Sequence, residues 1–485
     1  MRAEDKAQLE DVAGVMGEVA GQLGLQPPAV SFDVVPAEVM YEIAAYHFPD
    51  RFPHWTHGQS YHRQKTGYDH GLQRIYELVV NTEPCHAYLM ETNSLTSQKL
   101  VIAHVLGHAD FFRRNVFFSK SNRFMHTAAA AHAEAINKIE KEHGLEKVEQ
   151  TLDAALALAM HVDPAREFFR QKSMAEYEEE RLRPPDEPTM DYDDIWFMQG
   201  KPRKTPDRRR KIPPEPERDL LRFLGESSSI LDEWQRDVLA MVGEEYRYFY
   251  PNMRTKIMNE GYAAFWHERI MEHPNTRLSP DELIEFQQMH SSVISQGHTF
   301  ALNPYGVGYK VWKDIEKRWE EPEEEKTWYG ESTKRAGGEG LKKVFEVAAD
   351  YRDSEFLRLF LTEPLVEELD LYEYKFEGDK QKRQGNWVVQ QAPWEELRDG
   401  LANHLMGLEV PAIAVVDGDF EGRNELLLSH DAGSDLVPLD FDYARRTLGL
   451  IHSLWGKPVH LDTIKDDKHL RLTCNDGKAV DVKPF

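Results

Sequence analysis

The 485-residue chain contains two cysteines, Cys85 and Cys474. Two thiols so far apart supply neither a disulfide framework nor a thiolate metal cluster, which suits a reducing compartment. Apolar runs are short, and none approaches the ~20 residues needed to cross a bilayer. The N-terminal stretch Met1-Arg-Ala-Glu-Asp-Lys-Ala-Gln-Leu-Glu10 is charged and lacks the apolar core of a signal peptide. Together these deficits predict a cytoplasmic protein without a membrane span. Basic residues are also in deficit: 59 Lys and Arg face 84 Asp and Glu, a formal net charge of -25. A surface this acidic repels phosphate backbones and excludes general nucleic-acid binding. No P-loop and no Gly-x-Ser-x-Gly elbow occurs, and Gly337-Gly-Glu-Gly340 follows no clear strand, which leaves nucleotide and serine-hydrolase chemistries unsupported. Cys85 and His86 are neighbours on an expected strand and point to opposite faces, so they form no dyad.

Ten Trp, 19 Tyr and 23 Phe give the chain ample material for a core. Residues 1–25 read as an amphipathic helix stopped by Pro27-Pro28. Prolines across His47–His57 predict ordered loops. Ile75–Val80 and Cys85–Met90 read as strands around the turn Asn81-Thr-Glu-Pro84. After a cap at Asn93 or Ser94, Leu95–Arg114 reads as a helix, with further helices at 124–143, 145–161, 219–224, within 230–273, at 280–295 and at 340–361. Eight prolines mark 178–217 as a linker or insertion, and within it Lys201–Lys211 reads as a solvated basic strip or a docking strip for an acidic partner. Asn303-Pro-Tyr-Gly306 reads as a turn, and Glu320–Glu325 as a solvated acidic segment. Short strands divided by Asp-Gly turns dominate the end of the chain, with one helix near 441–454. The expected fold is α+β: a mainly helical domain over 1–377, and a small β-rich domain over 378–485.

The sharpest chemical feature is His104-Val-Leu-Gly-His108. On a helix, residues four apart share a face with about 6 Å between them, so two imidazoles reach one metal ion. The pair reads either as metal ligands or as part of a polar core network. The spacing is that of the zincin motif His-Glu-x-x-His, but Val105 stands where the catalytic Glu would be. A second segment, Asn259-Glu-Gly-Tyr-Ala263, is similar to the one that supplies the third, glutamate ligand in gluzincin peptidases. Glu260 reads either as that ligand or as a helix-face carboxylate paired with Lys256. His104, His108 and Glu260 would thus hold Zn2+ in a gluzincin-like core with a coordination position left open. A bound water then needs a group to take its proton, and Glu91, Glu245 and His267 are the candidates. Asp110 is a candidate acceptor for an imidazole N–H. Paired Glu-x-x-His motifs are missing, which counts against a helical di-metal oxidase.

Longer segments carry a family resemblance: Phe48-Pro-Asp-Arg-Phe-Pro-His-Trp55, Gly71–Asn81, Ala87-Tyr-Leu-Met-Glu-Thr-Asn93, Ala103-His-Val-Leu-Gly-His-Ala-Asp-Phe-Phe112, Thr255–Ala263 with Trp266-His267, and Tyr351-Arg-Asp-Ser-Glu-Phe356. By these the chain resembles the SpoVR (stage V sporulation protein R) family across most of its length, least within 178–217. The resemblance implies a link to sporulation and the spore cortex, a peptidoglycan layer, or to stress physiology in relatives that do not sporulate. It also implies a PrkA-type serine kinase and a von Willebrand-type protein as partners. Two functions follow as expectations: a zinc-dependent amide hydrolase acting on peptidoglycan or a precursor, or a non-catalytic regulatory partner of the kinase.

Overall fold

The computed structural model describes residues 3–69, 77–168, 212–295, 302–326, 332–379, 384–390, 392–407, 410–430, 439–465 and 468–484, together with Glu176. His70, the basic strip 201–211 and most of the proline-rich stretch lie outside the described residues. The chain is α+β and mainly helical. It forms two compact units, Met1–Glu149 with Glu244–Glu409, and Gln150–Gly243 with Val410–Phe485. The boundary expected at 378 falls inside the first of these units. Residues up to Glu409 cluster with the first unit, where the helix Trp394–Gly407 packs on the helix Asp353–Phe360. Among the described residues, no helix is long and apolar enough to cross a membrane.

The second unit holds a five-stranded sheet of Ile413–Phe420, Glu425–His430, Val459–Lys465, Lys468–Cys474 and Val480–Pro484, hydrogen-bonded in that order. Glu425–His430 runs parallel to Val459–Lys465, a pairing that requires a crossover, and the helix Phe441–Trp455 provides it. Asp440 caps that helix at Asp442 and Tyr443, and Gly456 ends it at φ 77°. Glu217 bridges to Val415, joining this sheet to a segment from the earlier part of the chain.

The first unit is built around Leu95–Arg114. Ser94 Oγ accepts the Ser97 N–H at 3.1 Å, and every residue from Thr96 to Phe112 is buried. Neighbours cover this helix on several sides, and its polar residues Gln98, Lys99, His104, His108 and Asp110 are buried with the apolar ones. A small sheet lies beside it. Strand β1 (Val30–Val35) runs parallel to β3 (Cys85–Met90), and β2 (Glu77–Val80) runs antiparallel to β3. The helix Lys256–Glu272 crosses the central helix and is crossed in turn by Pro304–Glu320. Asn303 accepts the Tyr305 N–H at 3.0 Å, so Asn303-Pro-Tyr-Gly306 opens a helix and does not form a turn. The acidic segment enters a hairpin strand, Glu323–Lys326.

Helix backbones touch at these crossings. A Cβ on Gly107 would lie 2.8 Å from Ala263 Cα, and one on Gly261 would lie 2.3 Å from Gly308 Cα. The first turn of Lys256–Glu272 lacks a side-chain cap of its own. Asp353 supplies one from a distance, its Oδ2 and Oδ1 accepting the N–H groups of Ile257 and Met258 at 2.9 and 2.8 Å. Buried Arg51 donates from Nε to Glu245 at 2.6 Å, and the other Glu245 oxygen meets His132 Nδ1 at 3.2 Å. His132 Nε2 in turn lies 3.5 Å from Glu244.

Two predictions follow from this packing. Gly261→Ala forces a methyl into the Gly308 backbone and lowers unfolding stability by about 1–3 kcal/mol in denaturant titrations. Burial opposes protonation of His132, but the Glu244 and Glu245 carboxylates outweigh it and raise its pKa from 6.5 to about 9. A raised folded-state pKa stabilises fully below the unfolded value of 6.5, and the contribution disappears as pH climbs through about 9. The stability difference between wild type and His132→Gln is therefore largest near pH 6 and falls away by about pH 10. A difference that is flat across that range contradicts the assignment.

Candidate metal centre

The i, i+4 spacing of His104 and His108 is realised on the buried helix, with ring centroids 4.6 Å apart at right angles. Because Gly107 lets Ala263 approach, the second helix delivers Glu260 to the same point. Glu260 Oε2 lies 3.4 Å from His108 Nε2 and 3.8 Å from His104 Nε2. A fourth group, Glu77 at the start of β2, was not anticipated. Its Oε1 lies 3.8 Å from His104 Nε2, and one ligand atom from each of Glu77, His104 and His108 falls within 4.8 Å of the other two. Glu77 pairs across the sheet with buried Leu89, which aims its side chain toward the core. It was hidden in the sequence because a lone Glu at the head of an apolar strand has no spacing that ties it to the helix.

Both imidazoles are oriented from behind. His108 Nδ1 meets Asn259 Oδ1 at 2.9 Å, which makes Nδ1 the donor and leaves Nε2 turned to the carboxylates. His104 Nδ1 meets His267 Nδ1 at 2.8 Å, and His267 Nε2 meets His290 Nδ1 at 2.7 Å. Tyr305 stacks on His104 at 5.9 Å and 28°. The Glu260 charge, then burial, then Glu77 hold the Tyr305 phenol well above its ordinary pKa, so it remains a neutral donor.

The electrostatics separate the members. Burial drives His104 down to about 4, with His108 adding to the effect. Burial also works against the charged form of His108, but the Glu260 carboxylate 3.4 Å from its Nε2 reverses the balance and raises it. For Glu260, burial is outweighed by the neighbouring imidazoles of His104 and His108, and the carboxyl sits well below its usual range. Burial pushes Glu77 up to about 7, against the pull of His108. His104 Nε2 and Glu260 Oε2 are buried atoms without a hydrogen-bond partner. Two buried, unsatisfied groups facing each other across 3.8 Å fit a shared cation, and two imidazoles with carboxylates are a donor set suited to zinc.

Two of the three expected bases lie elsewhere, and the third is engaged by other histidines. Glu91 is exposed beyond β3, its N–H bonded to Val35 O at 3.0 Å. Glu245 is fully buried and engaged by Arg51 and His132. His267 touches the centre, but both its ring nitrogens are committed to other histidines. Asp110 orients neither imidazole: it accepts from Tyr262 Oη at 2.7 Å, from the Gln26 N–H and from Arg114.

Known proteins bear on this arrangement as follows. A family model described as SpoVR like protein matches residues 3–409, and one described as SpoVR-like C-terminal domain matches 411–466. The break between them falls where the second compact unit resumes at Val410. Uncharacterized protein YcgB of Escherichia coli (strain K12) is 28% identical over 468 residues, covering 91% of this chain and 88% of its own length. No solved structure matches. With the family model covering most of its length, the chain belongs to the SpoVR family.

Proposed function

We propose that the first unit is a zinc-dependent hydrolase of amide bonds, with His104, His108 and Glu260 as metal ligands. One observation carries this reading: His104 Nε2 and Glu260 Oε2, both buried and without a hydrogen-bond partner, converge with His108 Nε2 on one point. A zinc ion held there supplies Lewis acidity toward water and an amide carbonyl. The residues around it supply the rest. Glu77 takes the role of proton acceptor, since its Oε1 lies 3.8 Å from His104 Nε2 and it faces the same point from the sheet. Tyr305, a neutral phenol beside Glu260, donates a hydrogen bond to negative charge developing on a carbonyl oxygen. The Glu77 and Glu260 side chains keep 16% and 20% of their surface exposed, whereas that of His104 keeps 3%, so solvent and substrate approach from the carboxylate side.

The choice of amide rests on family membership and on the resemblance to a family named for cortex formation, which directs it to peptidoglycan or a precursor. The regulatory reading, a partner of a PrkA-type kinase, rests on the same resemblance and on the basic strip 201–211, which lies outside the described residues. The geometry of the centre favours the hydrolase.

Purified protein is expected to carry about one zinc per chain by elemental analysis, lost in His104→Ala with the fold retained. Glu77→Gln keeps the zinc and loses about 10²–10⁴ in kcat on a muropeptide amide. Stable, metal-free wild type after zinc reconstitution would overturn the reading, as would full activity in Glu260→Gln.

A further inference from the structure

The helix Lys256–Glu272 begins only a few residues before Glu260, and a carboxylate from elsewhere holds that beginning. The first N–H taken up by the helix itself is that of Asn259, bonded to Thr255 O at 2.7 Å. The N–H groups before it have no carbonyl to reach, as at every helix start. Asp353 takes two of them, Oδ2 accepting from Ile257 at 2.9 Å and Oδ1 from Met258 at 2.8 Å. Asn259 and Glu260 follow at once. Asn259 Oδ1 meets His108 Nδ1 at 2.9 Å, and Glu260 Oε2 lies 3.4 Å from His108 Nε2. The two residues that face the histidines thus occupy the first positions beyond the turn that Asp353 holds.

A helix start that needed only stability would use a side chain at its own N-cap. Thr255 stands there, but its hydroxyl donates to Pro251 O at 2.8 Å and caps nothing. A local cap satisfies a helix without fixing it relative to anything else, whereas a cap from a separate helix ties the two together in space. Asp353 is the first residue of Asp353–Phe360, so its buried carboxylate sits at two helix N-termini, each of which favours negative charge. Phe356, on the same short helix, packs on Trp312 with ring centroids 4.6 Å apart. Trp312 Nε1 donates to Met258 O at 3.0 Å. The N–H and the C=O of Met258 are therefore gripped from two different helices, which are packed on each other.

We propose that Asp353 is a positioning residue of the metal centre: by clamping Ile257 and Met258 it sets the places of Asn259 and Glu260 against His108 and His104. The consequence for zinc rests on the metal-centre reading, while the placement of the helix start is a property of the metal-free chain. Groups in a working site must be held to within about 0.5 Å. Without the carboxylate, two buried N–H groups lose their acceptor and the first turn frays. Asn259 then loses its contact with His108, and Glu260 gains freedom that a ligand cannot have.

The test uses the full chain at about pH 8, above the value of about 7 to which burial raises the Asp353 carboxyl. Asp353→Ala should weaken zinc binding about 10–100-fold in chelator competition, and Asp353→Asn, which keeps one acceptor oxygen, should fall between. In the metal-free protein, hydrogen exchange should speed up from Ile257 to Gly261 in Asp353→Ala and stay at the wild-type rate in Leu95–Arg114. Leu365→Ala, a cavity variant in the short helix Glu363–Glu368, is the comparison: it lowers the melting temperature and should leave zinc affinity at the wild-type value. Wild-type zinc affinity in Asp353→Ala overturns the proposal. So does an equal loss of affinity in Leu365→Ala at the same loss of melting temperature, because a residue that serves stability alone moves both alike. If Asp353→Ala does not fold, Asp353→Asn carries the same comparison. If wild type binds no zinc but exchange speeds up as described, the metal reading fails and the placement of Glu260 by Asp353 stands. If wild type binds zinc and exchange is unchanged in the variants, only the positioning role fails.

Discussion

Everything in the first unit depends on how closely three helix backbones approach each other. An ordinary side chain at Gly261 or Gly308 would collide with backbone atoms, and one at Gly107 would press on the Ala263 Cα. Glycine inside a helix costs about 1 kcal/mol relative to alanine, and this chain accepts that cost three times at contact points. The gain is reach. A glutamate side chain is short, and Glu260 meets His104 and His108 because its helix lies against theirs without an intervening layer of side chains. The glycines next to the chemical residues in both motifs therefore serve the chemistry by setting the distance between helices.

Burying imidazoles and carboxylates together is costly unless each polar atom finds a partner. Most of this cluster does. Asn259 satisfies His108 Nδ1, His267 satisfies His104 Nδ1, and His290 satisfies His267 Nε2. These rings stay neutral because burial lowers His104, His267 and His290 alike, with neighbouring histidines reinforcing the effect on the first two. Charge gathers instead at the open end, where Glu260 is ionised and His108 is favoured in its protonated form. A core that needed only packing would fill this space with apolar side chains, because pairing buried charges seldom improves on hydrophobic contact. The expense is concentrated where three ligand-type atoms converge.

Local signals in the sequence were readable where periodicity and chemistry agreed. Leu95–Arg114 was legible to the residue, since Ser94 caps it and its pattern is unbroken, and the i, i+4 histidines needed only helical geometry to become neighbours. Glu260 was legible as a ligand type because of the segment around it, although only the fold brings it to the histidines. Glu77 was not legible, because its membership depends on the register of β2 against β3. His290 was not legible either, because its place beside His267 depends on how two later helices pack. Glu91 misled through closeness in sequence: Thr92, Asn93 and the Ser94 cap separate it from the helix, and its side chain points to solvent. The sequence around Asn303 suggested a turn because proline follows it, yet the same Asn-Pro pair is also a helix start, and tertiary packing of Gly306 and Gly308 decides in favour of the helix.

The centre is asymmetric, and that asymmetry bears on how a substrate is received. On one side, His267, His290 and Phe286 seal the imidazoles behind rings with almost no exposed surface. On the other, Glu77 arrives from a sheet edge, Glu260 from one helix and Tyr305 from the first turn of another, so three separate elements meet around the histidine pair. The sealed side holds ligand nitrogens in place and excludes water from them. The open side gathers the groups able to accept or donate a proton. A structural metal site needs the first property only, with all its ligands enclosed. Partly exposed Glu77 and Glu260 side chains, against a dry wall of imidazoles, are what a site requires if it must admit a molecule and act on it.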